Sequence, residues 1–263
     1  MIRAMYTAAS GMSAQQTNLD TVANNLANSA TTGFRKRLLQ FEDMMYQNLV
    51  APGSAASTTT TAAGLQIGLG TRAAATEVVN TQGDFNQTGN QLDLAVQGNG
   101  FFQVTRPDGT TAYTRAGNFH LNSQGQMMTA NGDLLTPNIT IPSNATNVTI
   151  SQYGVVSATM PGQTAAPQLG QIQLATFVNP GGLSSIGGTL MQQTGASGTP
   201  IVDTPGGSSG MGTLQQGALE GSNVDVVEEF VQMVLAQRAY ESNSKVISAA
   251  DQMYQQVNGM VRS

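Results

Sequence analysis

The sequence predicts an α+β protein in which long N- and C-terminal helices form a coiled-coil-like pair and a mainly-β domain lies between them. Two observations carry this. Apolar residues recur at helical spacing over both ends of the chain, and neither stripe can bury itself, so each needs a partner. The middle breaks instead into short β-branched or aromatic runs separated by turn signals. The expected division is 1–33 with 222–263 for the helical domain, 34–71 for a connecting segment with an extended insertion, and 72–221 for the mainly-β domain.

At the N-terminus, Ile2, Met5, Ala9, Met12, Gln16, Leu19, Ala23, Leu26 and Ala30 alternate steps of three and four without a slip. That is the a/d seam of a coiled coil. The helix is expected from Ile2 to Asn28, where Asn28 to Gly33 supplies residues that cap and end helices. Residues 34–46 read equally as a helical turn or an extended arm. From Val50 the chain turns into a Ser/Thr/Ala tract that Pro52-Gly53 opens and Gly64 to Gly70 closes, with Leu65, Ile67 and Leu69 alternating as in a short strand. A long structureless loop is unusual in a compact domain, so this insertion is expected to work between subunits.

Turn signals then recur through the middle, among them Pro107-Asp108-Gly109, Asn131-Gly132-Asp133 and Asn179 to Gly182. Candidate strands lie between them, over Leu92–Val96, Phe101–Val104, Ile139–Ile141 and Ile172–Val178. The C-terminal helix is expected to start at Ser222-Asn223-Val224-Asp225, with Glu228 and Glu229 near its positive end and Glu241 paired with Lys245. Its stripe is Val231, Leu235, Ala239, Ser242, Val246, Ala249, Met253, Val257 and Met260. The two terminal stripes form the candidate assembly interface.

Charged residues make up only 10% of the chain, against about 25% in ordinary globular proteins. The net charge is −5, and Arg35-Lys36-Arg37, read as a solvated turn, is the single basic run. A nucleic-acid partner needs a basic face and is not expected. Little charge means little repulsion between copies, which favours self-association. With no cysteine there is no disulfide or thiolate metal site. The N-terminus lacks the apolar core of a secretory signal, and no apolar run is long enough to span a bilayer.

Catalytic constellations are missing. His120 has no second His or Cys to share a metal with, no Gly-x-Ser-x-Gly elbow occurs, and Gly68-Leu69-Gly70 and Gly98-Asn99-Gly100 lack the rest of a nucleotide loop. Asp225, Glu228, Glu229 and Glu241 are spaced for capping and surface pairing. We therefore expect no enzyme, no cofactor, no metal and no small-molecule substrate. A structural polymer and a surface adhesin with a β domain on a coiled-coil stalk are the readings left.

Several stretches resemble the bacterial flagellar rod and hook family, and most closely its distal-rod members. At the start these are Ala8-Ala9-Ser10-Gly11-Met12 and Asn24-Asn25-Leu26-Ala27-Asn28, continuing to Thr32-Gly33-Phe34-Arg35-Lys36. At the end they are Ser222 to Glu229 and Ala236 to Lys245. Between them, Leu92 to Phe102 and Tyr113 to Phe119 resemble the β domain that rod and hook proteins share, and 50–72 resembles a distal-rod insertion in its entry and exit. The resemblance implies a tubular helical homopolymer, with the terminal helices inside around a channel and the β domain outside. It further implies torque transmission from motor to hook, passage across the periplasm inside bushing rings, and export through the flagellar secretion apparatus without a cleaved signal. Proximal-rod and hook-side axial proteins would be the neighbours, and a proximal-rod or hook paralogue is the alternative. On this reading Pro52, Gly53, Leu65, Ile67 and Leu69 form an inter-subunit insertion.

Overall fold

The computed structural model describes residues 2–50, 55–56, 59–60, 64–162, 166–207 and 209–261. The protein is α+β, with terminal helices flanking a β-rich middle in sequence. It separates into two units: one of residues 1–27, 37–77 and 225–263, the other of 28–36 and 78–224.

In the first unit, helix α1 (Ile2–Ala27) and helix α2 (Val226–Val261) are about 39 Å and about 54 Å long at ~1.5 Å per residue. The expected cap of α2 moves. Asp225, not Ser222, is the N-cap: its Oδ1 accepts hydrogen bonds from the backbone N–H groups of Val227 at 2.8 Å and Glu228 at 3.2 Å. Glu241 is bound by Arg238 at 3.3 Å on the exposed face, one turn before it, where the sequence suggested Lys245.

The segment between the helices is the extended arm of the two forms its sequence allowed. β1 (Arg37–Asp43), β2 (Tyr46–Val50), β3 (Ala55–Ala56), β4 (Thr59–Thr60), β5 (Leu65–Gly68) and β6 (Thr71–Val78) pair as β1 with β6, β2 with β5 and β3 with β4. These three two-stranded pairs are nested in sequence and together are called the ribbon. Its return strand is anchored on α1, where Ser10 Oγ accepts the Thr71 N–H at 3.4 Å and donates to the Thr7 carbonyl at 2.9 Å. A side chain at Gly70 would run into that hydroxyl.

The second unit begins with β7 (Phe85–Gln87), β8 (Leu94–Gln97), β9 (Phe101–Thr105), β10 (Thr111–Thr114), β11 (His120–Leu121), β12 (Met127–Met128) and β13 (Leu134–Thr136). It continues with β14 (Asn147–Ile150), β15 (Val155–Thr159), β16 (Gln168–Gln171), β17 (Leu174–Thr176), β18 (Ser184–Gly187), β19 (Leu190–Gln192), β20 (Ile201–Asp203), β21 (Thr213–Gln216) and β22 (Ala218–Glu220). The largest sheet runs β11-β12-β13-β9-β10-β19-β18, with β17 joining β9 to β20. β14, β15 and β16 form a second sheet, and β21 with β8 and β22 with β7 form two short pairs.

β9 is buried on both faces, although its pairings with β10, β13 and β17 are all antiparallel and such a sheet can leave one face in water. Phe102 and Val104 enter the main core with Leu94, Phe119, Leu135 and Ile172, while Phe101 enters a smaller cluster with Tyr113 and Phe177. Phe102 meets Phe119 edge to face, ring centroids 5.2 Å apart. Residues 139–141 form no strand. Thr140 makes one isolated bridge to Gln126, and Ile139 and Ile141 still point into the core. Pro137 and Pro142 bracket this run and cannot donate to a ladder.

Replacing Phe102, which is fully buried, should show how much of the β unit rests on this core. Phe102→Ala is expected to lower stability by about 3–5 kcal/mol in denaturant melts.

Candidate assembly surface and its internal supports

The two helices lie against each other, and two contacts set their alignment. A side chain on Gly11 would meet the Asn243 amide at 2.8 Å, and Asn25 Nδ2 donates to Glu229 Oε2 at 3.1 Å. As α1 advances from 11 to 25, α2 retreats from 243 to 229, so the pair is antiparallel. The residues buried along it are Ala8, Ala14, Val22 and Asn25 on α1, and Glu229, Ala236 and Ala250 on α2.

This is not the stripe that hydrophobic spacing singles out. On α1, Met5, Met12, Leu19 and Leu26 are half-buried, while Ile2, Ala9 and Ala23 are exposed. On α2, Ala239 is half-buried, and Val231, Leu235, Val246, Ala249, Met253, Val257 and Met260 are all exposed, Met260 to 71%. The chain's own helix contact sits about one residue around each helix from the predicted seam, a rotation of ~100°. The physical reason is side-chain size. Antiparallel helices approach closely over Ala and Gly, and the large apolar side chains, joined by exposed Val227, Phe230 and Val234, remain on an adjacent face.

The ribbon repeats the pattern. Pairing of Gln47 with Ile67 and of Val50 with Leu65 puts Leu65 and Ile67 on one face by alternation, and Leu69 follows just beyond the end of β5. Leu65, Leu69, Val50 and Met45 are exposed and Ile67 is half-buried. Pro52 and Gly53 lie outside the described residues.

Asn25 also binds β1. Its Oδ1 accepts the Arg37 N–H and its Nδ2 donates to the Arg37 carbonyl, both at 2.9 Å. With Glu229 this uses the amide as a three-way joint. Hydrophobic periodicity carries no signal for such a residue; the doubled Asn24-Asn25 near the end of α1 is the local mark of it.

Sequence reasoning also missed a joint in the β unit. Arg35, read as part of a solvated turn, is buried against Glu220, whose side chain is fully inaccessible. Glu220 Oε1 accepts from Arg35 Nη2 at 2.7 Å and from the Gly83 N–H at 3.1 Å, and Oε2 accepts from Arg115 Nε at 2.6 Å. Arg115 donates onward to the carbonyls of Val96, Gly98 and Gly100, and Arg35 to that of Thr81 at 2.7 Å. Burial pulls the Arg115 guanidinium below its ordinary pKa, and the charge and hydrogen bond of Glu220 oppose that shift. Gly33 donates its N–H to the Glu220 carbonyl at 2.8 Å in a left-handed conformation, φ +69°, and a Cβ there would strike the Ala116 backbone. Asn223 closes the same region: it accepts from the Lys36 N–H at 2.7 Å and donates to the Val79 carbonyl at 2.8 Å.

Among the described residues no group of three or more His, Asp or Glu is placed to hold a metal ion, and no helix is long and apolar enough to cross a membrane. His120 is exposed on β11. Among the described residues α2 and the ribbon turn apolar side chains outward, whereas Met5, Met12, Leu19 and Leu26 of α1 are half-buried and Ile2 and Tyr6 are its exposed large apolar side chains.

Family models agree with that description. Residues 5–35 match the flagella basal body rod protein model, 95–158 the flagellar hook protein FlgE/F/G D1 domain, and 215–260 the flagellar basal body rod FlgEFG protein C-terminal model. The chain is 48% identical to the flagellar basal-body rod protein FlgG of Buchnera aphidicola subsp. Acyrthosiphon pisum, covering 98% of this chain and 99% of that one. The chain belongs to the flagellar basal-body rod protein family. It is similarly related to the FlgG proteins of Caulobacter vibrioides (47%, covering 97% of each chain) and Borreliella burgdorferi (46%, covering 100% of each). The matched terminal models contain the joints just described: Ser10, Gly11, Asn25, Gly33 and Arg35 in one, Glu220, Asn223, Asp225, Glu229 and Asn243 in the other. In this rod protein, then, the terminal signatures largely encode stitching within the chain.

Removing the central carboxylate should expose the size of the β-unit joint. Glu220→Ala leaves two buried guanidinium groups uncompensated and is expected to cost roughly 3–5 kcal/mol, measured as a lower urea midpoint of the β unit.

Proposed function

We propose that this protein is the distal-rod subunit of the bacterial flagellar basal body, polymerising into a tubular helical rod that transmits motor torque to the hook. The observation that carries the reading is the apolar face that α2 leaves uncovered over its whole length, from Val227 to Met260, in a chain related end to end to basal-body rod proteins. Monomeric proteins rarely expose contiguous apolar surface on this scale. In the polymer, Ile2, Met5, Ala9, Met12, Leu19, Ala23 and Leu26 of α1 and the α2 stripe pack in a coiled-coil-like inner layer, each against helices of other copies. Head-to-tail contacts of this kind do not close on themselves and so generate a helical filament.

The ribbon is the second contact. A two-stranded ribbon is marginal alone in water, and its residues Leu65, Ile67 and Leu69 gain cover when it bridges to a neighbouring subunit. Many repeated contacts, rather than one site, then carry torque. The rod's neighbours are proximal-rod and hook-side axial proteins along its axis and bushing-ring proteins around it. The subunit reaches them through the flagellar export apparatus without a cleaved signal and works in the rod as it crosses the periplasm.

Charge placed on the exposed α2 stripe separates assembly from folding. Leu235→Asp or Ala249→Glu should abolish tubular assemblies in electron micrographs of purified protein while leaving the β-unit melt unchanged; tubes of normal length in both variants would sink the role of this face. Excision of residues 50–70 should leave a protein that folds and forms tubes with a lower bending stiffness.

A further inference from the structure

We propose that Asn25 and Glu229 form a register key, which holds α1 and α2 in one alignment. The need for a key follows from the helices themselves. The apolar residues buried at their contact are small, Ala8, Ala14 and Val22 on α1 and Ala236 and Ala250 on α2, so sliding one helix by a heptad past the other sets small residues against small ones and costs little apolar burial. In a polymer, the helices of neighbouring copies are further competitors. Only groups that cannot be buried unpaired distinguish one alignment from the next.

Asn25 and Glu229 are such groups. Asn25 is 1% exposed and Glu229 is 5% exposed. The Asn25 amide is used completely at this spot, by the Arg37 N–H, the Arg37 carbonyl and Glu229 Oε2. Because Arg37 opens β1, the joint also holds β1 against the end of α1, which fixes the Asn25 amide in place for Glu229.

A second contact reads the same alignment. Asn243 fits opposite Gly11, where a methyl group would meet its amide at 2.8 Å; the amide ends a flexible side chain and could turn aside, so this fit favours the alignment and the buried pair enforces it. A heptad slip in one direction carries Asn243 from Gly11 to Asn18 and leaves Asn25 opposite Ala236. A slip in the other carries Asn243 to Ala4 and leaves Asn25 opposite Ser222, before α2 begins. In both, Asn243 meets a residue with a Cβ, and Asn25 loses its carboxylate.

The polymer reading enters here only through the competing helices of other copies; the alignment within one chain stands without it. The chain has no cysteine, so an engineered pair reports alignment cleanly. Asn18 lies seven residues before Asn25, and Ala236 seven after Glu229, which sets them opposite each other in the keyed alignment. Full-length protein carrying Asn18→Cys and Ala236→Cys should form a disulfide within one chain on oxidation, read by non-reducing gel and peptide mass spectrometry.

Adding Asn25→Asp sets two carboxylates together in a buried seam, and the intrachain product should fall roughly tenfold. Adding Glu229→Gln as well places an amide donor opposite the newly introduced carboxylate and should recover part of the product, the Arg37 carbonyl still lacking the donor that Asn25 gave it. Absence of the intrachain product in the parent pair, an undiminished product with Asn25→Asp, or no recovery with Glu229→Gln would each overturn the key. Loss of tubes alone, with this pattern intact, bears on the polymer and not on the key.

Discussion

The β unit depends on a single carboxylate shared by two guanidinium groups. Glu220 has no access to water and binds Arg35 and Arg115 through separate oxygens, so its negative charge is answered twice. Such a cluster gains little over an apolar one of equal volume, because desolvation consumes most of the attraction. Its value is in geometry. Guanidinium forks and backbone N–H groups bond in fixed directions, and here they gather Gly33 and Arg35, Thr81 and Gly83, and Glu220 onto the framework of β8 and β9. These stretches lie a few residues from the points at which the chain passes between the two units. The places where the backbone leaves the β unit are thereby among its best-held parts, and Asn223 adds a neutral joint of the same kind.

The architecture was legible in the sequence because it depends on periodicity and punctuation. A heptad pattern betrays a long helix whichever way it faces, and Gly, Asn, Asp and Pro clusters mark turns by their backbone preferences. Side-chain partners were less legible. Arg35 looked solvated beside Lys36 and Arg37, since nothing local reveals a carboxylate 185 positions away. Residues 139–141 looked like a strand by composition, but flanking prolines keep them to one bridge. The stripe of large apolar residues drew attention from the seam of Ala8, Gly11, Ala14 and Val22, because hydrophobicity ranks residues by what they gain on burial and not by how closely they let helices approach.

The resemblance to rod and hook proteins rested on short stretches such as Ala8 to Met12, Asn24 to Asn28 and Ser222 to Glu229. Their residues now have physical tasks. Ser10 holds the return strand of the ribbon, Gly11 admits Asn243, Asn25 joins α1 to β1 and α2, and Asp225 caps α2. Each task is polar or steric and belongs to one fold. The exposed faces ask for less, namely apolar character over a length of helix or ribbon.

Each terminal helix thus carries two stripes about 100° apart, one of small and polar residues that meets the other helix and one of large apolar ones. Adjacent stripes leave few positions on a helix surface that belong to neither. A residue between them, such as Ala239, which is half-buried, answers to both neighbours at once. The helices are therefore crowded with obligations, whereas the tips of the β hairpins carry almost none. At the turns of Gly109, Gly162 and Gly187 an added side-chain carbon would meet no neighbouring atom within 4 Å, so bulk added there would disturb no packing.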